Sequence, residues 1–340
     1  MPQQYAPGEK ERVILFRDFP FPFSTSALPL DLGRGVRLDQ VDDIQHAIRF
    51  ADREEERPRL KAILLQEQLA GVGQVHVCIR TPVKTTVSDA TTRLWVAIAA
   101  IRLISPVEIR ASSILTFDES SGEITEVATL LTMPIVGPSF HRRLNGQELK
   151  AARDVNIRLG KLKARKLVRP RSAFTLWAQI SGGACTSWQL ATLGLVGVLE
   201  AVFPQPKNGK RYDDLNYAQR LSVRVARFLE ARKFYKRHEE KLRRIYEAYR
   251  NSIAHGVHDP SPTGKLNERY LDLLFLHETA RLVLLGMLSK SNDDLIKLVP
   301  EHASGDQIQK GLDELGPATG KLIGQQILTS APKSRSLIEL

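Results

Sequence analysis

Residues 246–256 read YEAYRNSIAHG, and within that stretch Arg250, Asn251 and His255 gather a permanent cation, an amide and a titratable imidazole. That set suits chemistry on a phosphodiester. A guanidinium such as Arg250 clasps two phosphate oxygens with parallel N–H donors, and the hold strengthens as negative charge builds on phosphorus. Histidine titrates near neutrality, at about 6.5 when unperturbed, so His255 can take a proton from a ribose 2′-hydroxyl or give one to the leaving 5′-oxygen. Asn251 is placed to orient the imidazole or a phosphate oxygen. Lys241, Arg243, Arg244 and Tyr246, just upstream, are the candidate substrate contacts. Arg232 and His238 have a similar spacing, but they lie in the highly charged RKFYKRHEE, which reads as a solvated helix start.

A helix must carry these groups. Leu242, Ile245, Tyr246, Tyr249 and Ile253 fall at i, i+3, i+4, i+7 and i+11, the spacing of a core-facing stripe. At about 100° per residue, Arg244, Glu247, Asn251 and His255 then point away from that stripe, with Arg250 at its edge. Gly256 suits the left-handed position just past a helix end, where the negative end of the helix dipole favours a protonated His255.

The run from Tyr212 to Gly256 resembles the Apea-like branch of the HEPN superfamily, in which an amphipathic Arg-rich helix and a charged connection precede a Tyr-x-x-Arg-(Asn/Ser)-x-x-x-His-Gly helix. Tyr246, Arg250, Asn251, His255 and Gly256 match that pattern, and Leu221, Val223, Val225, Ala226, Phe228 and Leu229 match the preceding helix. The resemblance implies a helical domain that, in active members, cleaves RNA without a metal through the Arg and His of two protomers. Many members of the superfamily have lost cleavage and serve as binding partners, so fold and activity are separate inferences. On one ideal helix, residues five apart are separated by about 7.5 Å along the axis and about 140° around it. They do not converge on one helix. A twofold homodimer that packs two such helices together brings Arg250 of one chain near His255 of the other, in a composite site.

Composition agrees with a polyanionic partner. The 340 residues carry a formal net charge of +11. Between Lys207 and Arg250, fourteen Lys and Arg stand against six Asp and Glu. Arg158, Lys161, Lys163, Arg165, Lys166, Arg169 and Arg171 form a second basic run with no acid among them. Such runs guide RNA electrostatically or simply solvate a helix face and a linker. The two cysteines, Cys78 and Cys185, are far apart and make no metal-ligand spacing, so a reducing cytoplasmic setting without metal or cofactor is expected. No apolar run follows Met1. The best hydrophobic segment, Trp188 to Phe203, is short and contains Glu200, Gly194 and Gly197, so a buried helix is expected there rather than a membrane span.

The expected fold is an α+β N-terminal domain followed by an all-α HEPN-like helical bundle. We place a mixed domain over 1–160, a basic linker over 161–172, a HEPN-like domain over 173–290 and a peripheral helical tail over 291–340. Strand-like segments are Arg12–Arg17, Gln74–Arg80, Val107–Phe117 and Glu126–Leu131, by β-branched content and length. Leu38–Phe50, Arg59–Leu69 and Thr92–Leu103 read as helices, and Asp31 to Gly35 as a turn. In the second half the helical expectations are Asn145–Leu162, Ala173–Ile180, Ser187–Phe203, Asp214–Glu230, Lys233–His255 and Leu266–Leu288. The function expected from these features is metal-independent cleavage of single-stranded RNA by 2′-hydroxyl attack, in a bacterial defence or stress effector. Such an effector leaves room for a regulatory partner. The alternative is a catalytically silent HEPN module that binds RNA or another protein. A DNA-binding regulator ranks third, for want of a helix-turn-helix or zinc module.

Overall fold

The computed structural model describes residues 10–19, 28–40, 77–107, 109–118, 124–129, 144–162, 167–181, 187–203, 217–230, 238–254 and 266–289. The chain divides into two compact units, with described residues up to Ile157 in the first and those from Arg158 in the second. An antiparallel sheet in the first gives way to helices in the second.

The first unit is built on strands β1 (Lys10–Asp18), β2 (Leu30–Asp31), β3 (Arg37–Gln40), β4 (Val77–Pro82), β5 (Arg110–Asp118) and β6 (Ile124–Thr129). They form a six-stranded sheet in the order β2-β3-β4-β1-β5-β6. Because β4 and β5 both pair antiparallel with β1, they run parallel to each other. Helix α1 (Val87–Ile104) is the crossover between them. Its start is set by Thr86, whose hydroxyl accepts from the Asp89 amide at 3.1 Å. Central β1 is buried on both faces. Val13, Ile14, Leu15 and Phe16 are all inaccessible, and Arg12 spends its guanidinium on Thr91 of α1 and Thr116 of β5. Buried Glu11 is held by Arg80 and by Arg37 at 3.1 Å, with Asp39 at 3.6 Å from Arg80. Each buried charge therefore has a partner.

Asp31 to Gly35 forms the expected turn, between β2 and β3. Gly33 has φ 82°, and a Cβ there would lie 2.8 Å from Ile157 Cγ1, so both backbone and space require glycine. One sequence expectation fails here. Leu38 to Gln40 belongs to β3, paired with β4, and not to a helix beginning at Leu38. The rest of that segment, the Arg59–Leu69 helix and the tail from 291 onward lie outside the described residues. Helix α2 (Gly146–Gly160) begins with a capping box: Asn145 Oδ1 accepts from the Glu148 amide and Glu148 Oε2 from the Asn145 amide, both at 2.9 Å.

The second unit contains α3 (Val168–Ser181), α4 (Trp188–Val202), α5 (Tyr217–Glu230), α6 (His238–Ile245) and α7 (Leu266–Leu288). Helix α3 starts five residues before the expected Ala173, because Pro170 in its first turn needs no N–H partner. Helix α4 packs against α3 and α7. Buried Trp177, Leu195, Leu199, Leu276 and Leu284 belong to the core of this unit. Gly194 permits a close approach of α3, since a Cβ there would lie 2.5 Å from Ile180 Cδ1. None of the described helices is long and apolar enough to cross a membrane.

Candidate functional site

The motif helix is not one regular helix. After α6 it widens into a π-helical turn over Tyr246–Asn251 and closes with a short α-turn over Ser252–Ala254. A π-turn holds roughly one residue more than an α-turn, so residues beyond Tyr246 lag the α-helical phase. The burial follows that lag. Leu242, Ile245 and Tyr246 are buried as the stripe requires, whereas Tyr249 and Ile253 are only half-buried. Arg250 swings toward α4.

Two polar clusters result. In the first, the Tyr246 hydroxyl donates to Glu200 Oε1 at 2.8 Å, and Arg250 Nη2 lies 3.6 Å from the same oxygen. The Arg250 guanidinium sits 5.4 Å from the centre of the Tyr246 ring, within cation–π range. Tyr217 of α5 packs its ring against Tyr246 at 5.7 Å. Burial pushes the Tyr246 phenol above its ordinary range, and the hydrogen bond and charge of Glu200 push it further, against the pull of Arg250. Tyr246 therefore remains a neutral donor. Its hydroxyl is already engaged.

In the second cluster, Asp272 of α7 takes Arg244 on one carboxylate oxygen and the Tyr249 hydroxyl on the other, the latter at 3.1 Å. Trp188, at the start of α4, meets Tyr249 edge-on at 5.8 Å and carries Arg269 over its ring at 5.3 Å. Lys241 lies over the Phe275 ring at 4.6 Å. Burial lowers the affinity of Lys241 for its proton; Asp272 opposes this and Arg244 adds to it.

The sequence-derived site residues therefore have distinct fates. Arg250 is one-third exposed at 32% and faces Glu200. Arg244 keeps 52% of its side chain exposed although paired with Asp272. Lys241 and Arg243 are half-buried on α6. Tyr246 is sealed in the core at 2% exposure, a position from which it braces neighbours rather than touching a ligand. Asn251 closes the π-turn. His255 lies outside the described residues, one position past the short α-turn.

No family model, no curated protein and no solved structure matches this chain. The residues must carry the functional reading by themselves.

Sequence reasoning overlooked Glu200, Asp272, Tyr217 and Trp188. The signal for Glu200 was present: it is the only charge in WQLATLGLVGVLEAV, and a lone acid in an apolar run needs a partner. Asp272 had a similar signal in LDLLFL. A different polar pair, Ser181 Oγ and His277 Nε2 at 2.8 Å, has a form suited to nucleophilic chemistry. With exposures of 2% and 4% and the Trp177 ring packed at a tilt against the imidazole at 5.5 Å, it is a core hydrogen bond closed to substrate. Among the described residues no group of three His, Cys, Asp or Glu side chains is placed to hold a metal ion.

Proposed function

We propose that this chain is a metal-independent endoribonuclease of the HEPN type that cleaves single-stranded RNA as a homodimer. Arg250 of one protomer and His255 of the other line its composite cleft. The observation that carries this reading is the setting of Arg250. Its guanidinium is held on the Tyr246 ring, partly exposed, on a π-helical turn, a distortion that costs helix regularity and recurs at functional sites. In the reaction a 2′-hydroxyl loses its proton to one imidazole, and its oxygen attacks phosphorus. The bond from phosphorus to the 5′-oxygen breaks, and the leaving oxygen gains a proton from that same imidazole, which returns to its neutral form. Arg250 stabilises the charge that builds on the non-bridging oxygens. The products are a 2′,3′-cyclic phosphate and a free 5′-hydroxyl.

Glu200 favours a second reading, that of a catalytically silent HEPN module, because its carboxylate partly neutralises Arg250 within the same chain. One assay separates the two. Purified protein in EDTA is incubated with single-stranded RNA and with DNA of matching sequence. The nuclease reading requires RNA fragments ending in 2′,3′-cyclic phosphate, no cut DNA, and a loss of at least about a hundredfold in rate for Arg250→Ala and for His255→Ala. Cleavage that survives either substitution sinks the assignment, and RNA left intact over long incubation favours the silent module.

A further inference from the structure

Three elements of the second unit bring charged side chains to one place. Tyr217, Arg220 and Arg224 stand at i, i+3 and i+7 of α5 and therefore share a face of that helix. Tyr217 packs at a tilt against Tyr246, Tyr246 carries Arg250, and Arg250 faces Glu200 of α4. The Tyr217 phenol senses the charges of Glu200, Arg250, Arg220 and Arg224, in keeping with that shared face. Arg224 is 1% exposed and belongs to the packed side of this helix. Arg220 is half-buried: its Nε is shielded from solvent and meets no acceptor among the described residues, so its terminal nitrogens are the part that a ligand can reach.

We infer that Arg220 and Arg250 form an oxyanion site for a backbone phosphodiester of single-stranded RNA, with Glu200 as the internal competitor for Arg250. The site rests on the RNA-binding part of the reading above and not on cleavage. At 3.6 Å, Glu200 is beyond a good hydrogen bond, so the Arg250 fork is not consumed and remains open to a phosphate. Glu200 keeps its own anchor in the Tyr246 hydroxyl at 2.8 Å, and so need not leave when RNA arrives. Arg220 is the new contact. It lies on a helix that the candidate site residues did not include.

The test measures binding of the full chain to a fluorescent 2′-O-methyl oligonucleotide, which lacks the attacking hydroxyl, across a series of salt concentrations. Arg220→Gln should weaken binding about fivefold or more and reduce the slope of log affinity against log salt by about 0.7, the value for one phosphate on a single strand. Glu200→Gln, which preserves an acceptor for Tyr246, should tighten binding clearly more than Glu247→Gln, which removes an exposed carboxylate from the same unit. Should Arg220→Gln melt early, Arg220→Lys takes its place: a retained salt slope with weaker affinity upholds the guanidinium contact, and unchanged affinity refutes it. Wild-type binding and slope in Arg220→Gln, or Glu200→Gln no tighter than Glu247→Gln, overturn the site. Competition by inorganic phosphate at matched ionic strength, equal to that of unlabelled oligonucleotide per phosphate, also overturns it, since the site would then take free phosphate. An inactive wild type leaves these binding outcomes standing, and loss of the Arg220 and Glu200 effects leaves cleavage by Arg250 and His255 standing.

Discussion

Glu200 accepts the Tyr246 hydroxyl and faces the Arg250 guanidinium, so one carboxylate on α4 holds two side chains of the motif helix. Asp272 does the same for Arg244 and Tyr249 from α7. Each acid sits beside a buried or half-buried phenol, and the titration of those phenols reports the arrangement. Burial first, and then the neighbouring carboxylate, pushes Tyr217, Tyr246 and Tyr249 above the ordinary value of 10.0. A phenol with a raised value binds its proton more tightly folded than unfolded. Its contribution to stability is therefore whole below about pH 10 and is lost as the pH climbs through the folded-state value. Tyr246→Phe removes the hydrogen bond and one of these linked protons. The variant should be less stable than wild type by about 1–2 kcal/mol at pH 8, a gap that narrows above about pH 10. Urea unfolding followed from pH 8 to pH 11 checks this, and a gap constant across that range would show that Tyr246 ionises without regard to Glu200.

At the scale of elements, close approach between α3 and α4 depends on Gly194, whose missing side chain leaves room for Ile180. Gly194→Val should destabilise the chain by about 1–3 kcal/mol through overpacking. Ile180→Val deletes the methyl that a Cβ would strike. The double substitution should therefore cost less than the sum of its parts, as measured by chemical denaturation; strict additivity would mean that the helices separate elsewhere. Periodicity made several elements legible. Helix α7 runs from Leu266 to Leu288 as its apolar pattern requires, and β1, β4, β5 and β6 lie on the β-branched segments. Helix α1 begins earlier than Thr92 because Thr86-x-x-Asp89 is a capping signal that the β-branched Thr85, Thr86 and Val87 obscure. Leu38, Val41 and Ile44 have helical spacing, yet Arg37–Gln40 pairs with β4, so sheet pairing outweighs local pattern. The π-turn was not legible at all. Its sequence, YEAYRN, fits an α-helix equally well, and only the packing of Tyr246 and Arg250 against α4 reveals the lag in phase.

For the whole molecule, the net charge of +11 is unevenly spread, and the basic runs at 158–171 and 207–250 both follow the sheet-bearing unit. Under the proposed function, long-range attraction of RNA falls to the helical unit, while selection of a reactive bond falls to the close groups around Arg250. Within one protomer, Glu200 on α4 and Tyr246 on the π-turn fix the direction of Arg250. If the partner protomer supplies the imidazole, two inactive variants should repair each other. In a mixed dimer of Arg250→Ala and His255→Ala chains, one cross-protomer pair loses both groups while the other keeps its intact arginine and its intact histidine. Random pairing makes half the dimers mixed, each with one working pair, so co-expressed variants should recover about a quarter of wild-type cleavage if the two pairs act independently. Differently tagged variants purified in tandem isolate the mixed dimer and should raise that recovery to about half. If the tagged mixed dimer forms and remains as inactive as either parent, Arg250 and His255 do not act across the protomer boundary, and the composite cleft is lost even where wild-type cleavage persists.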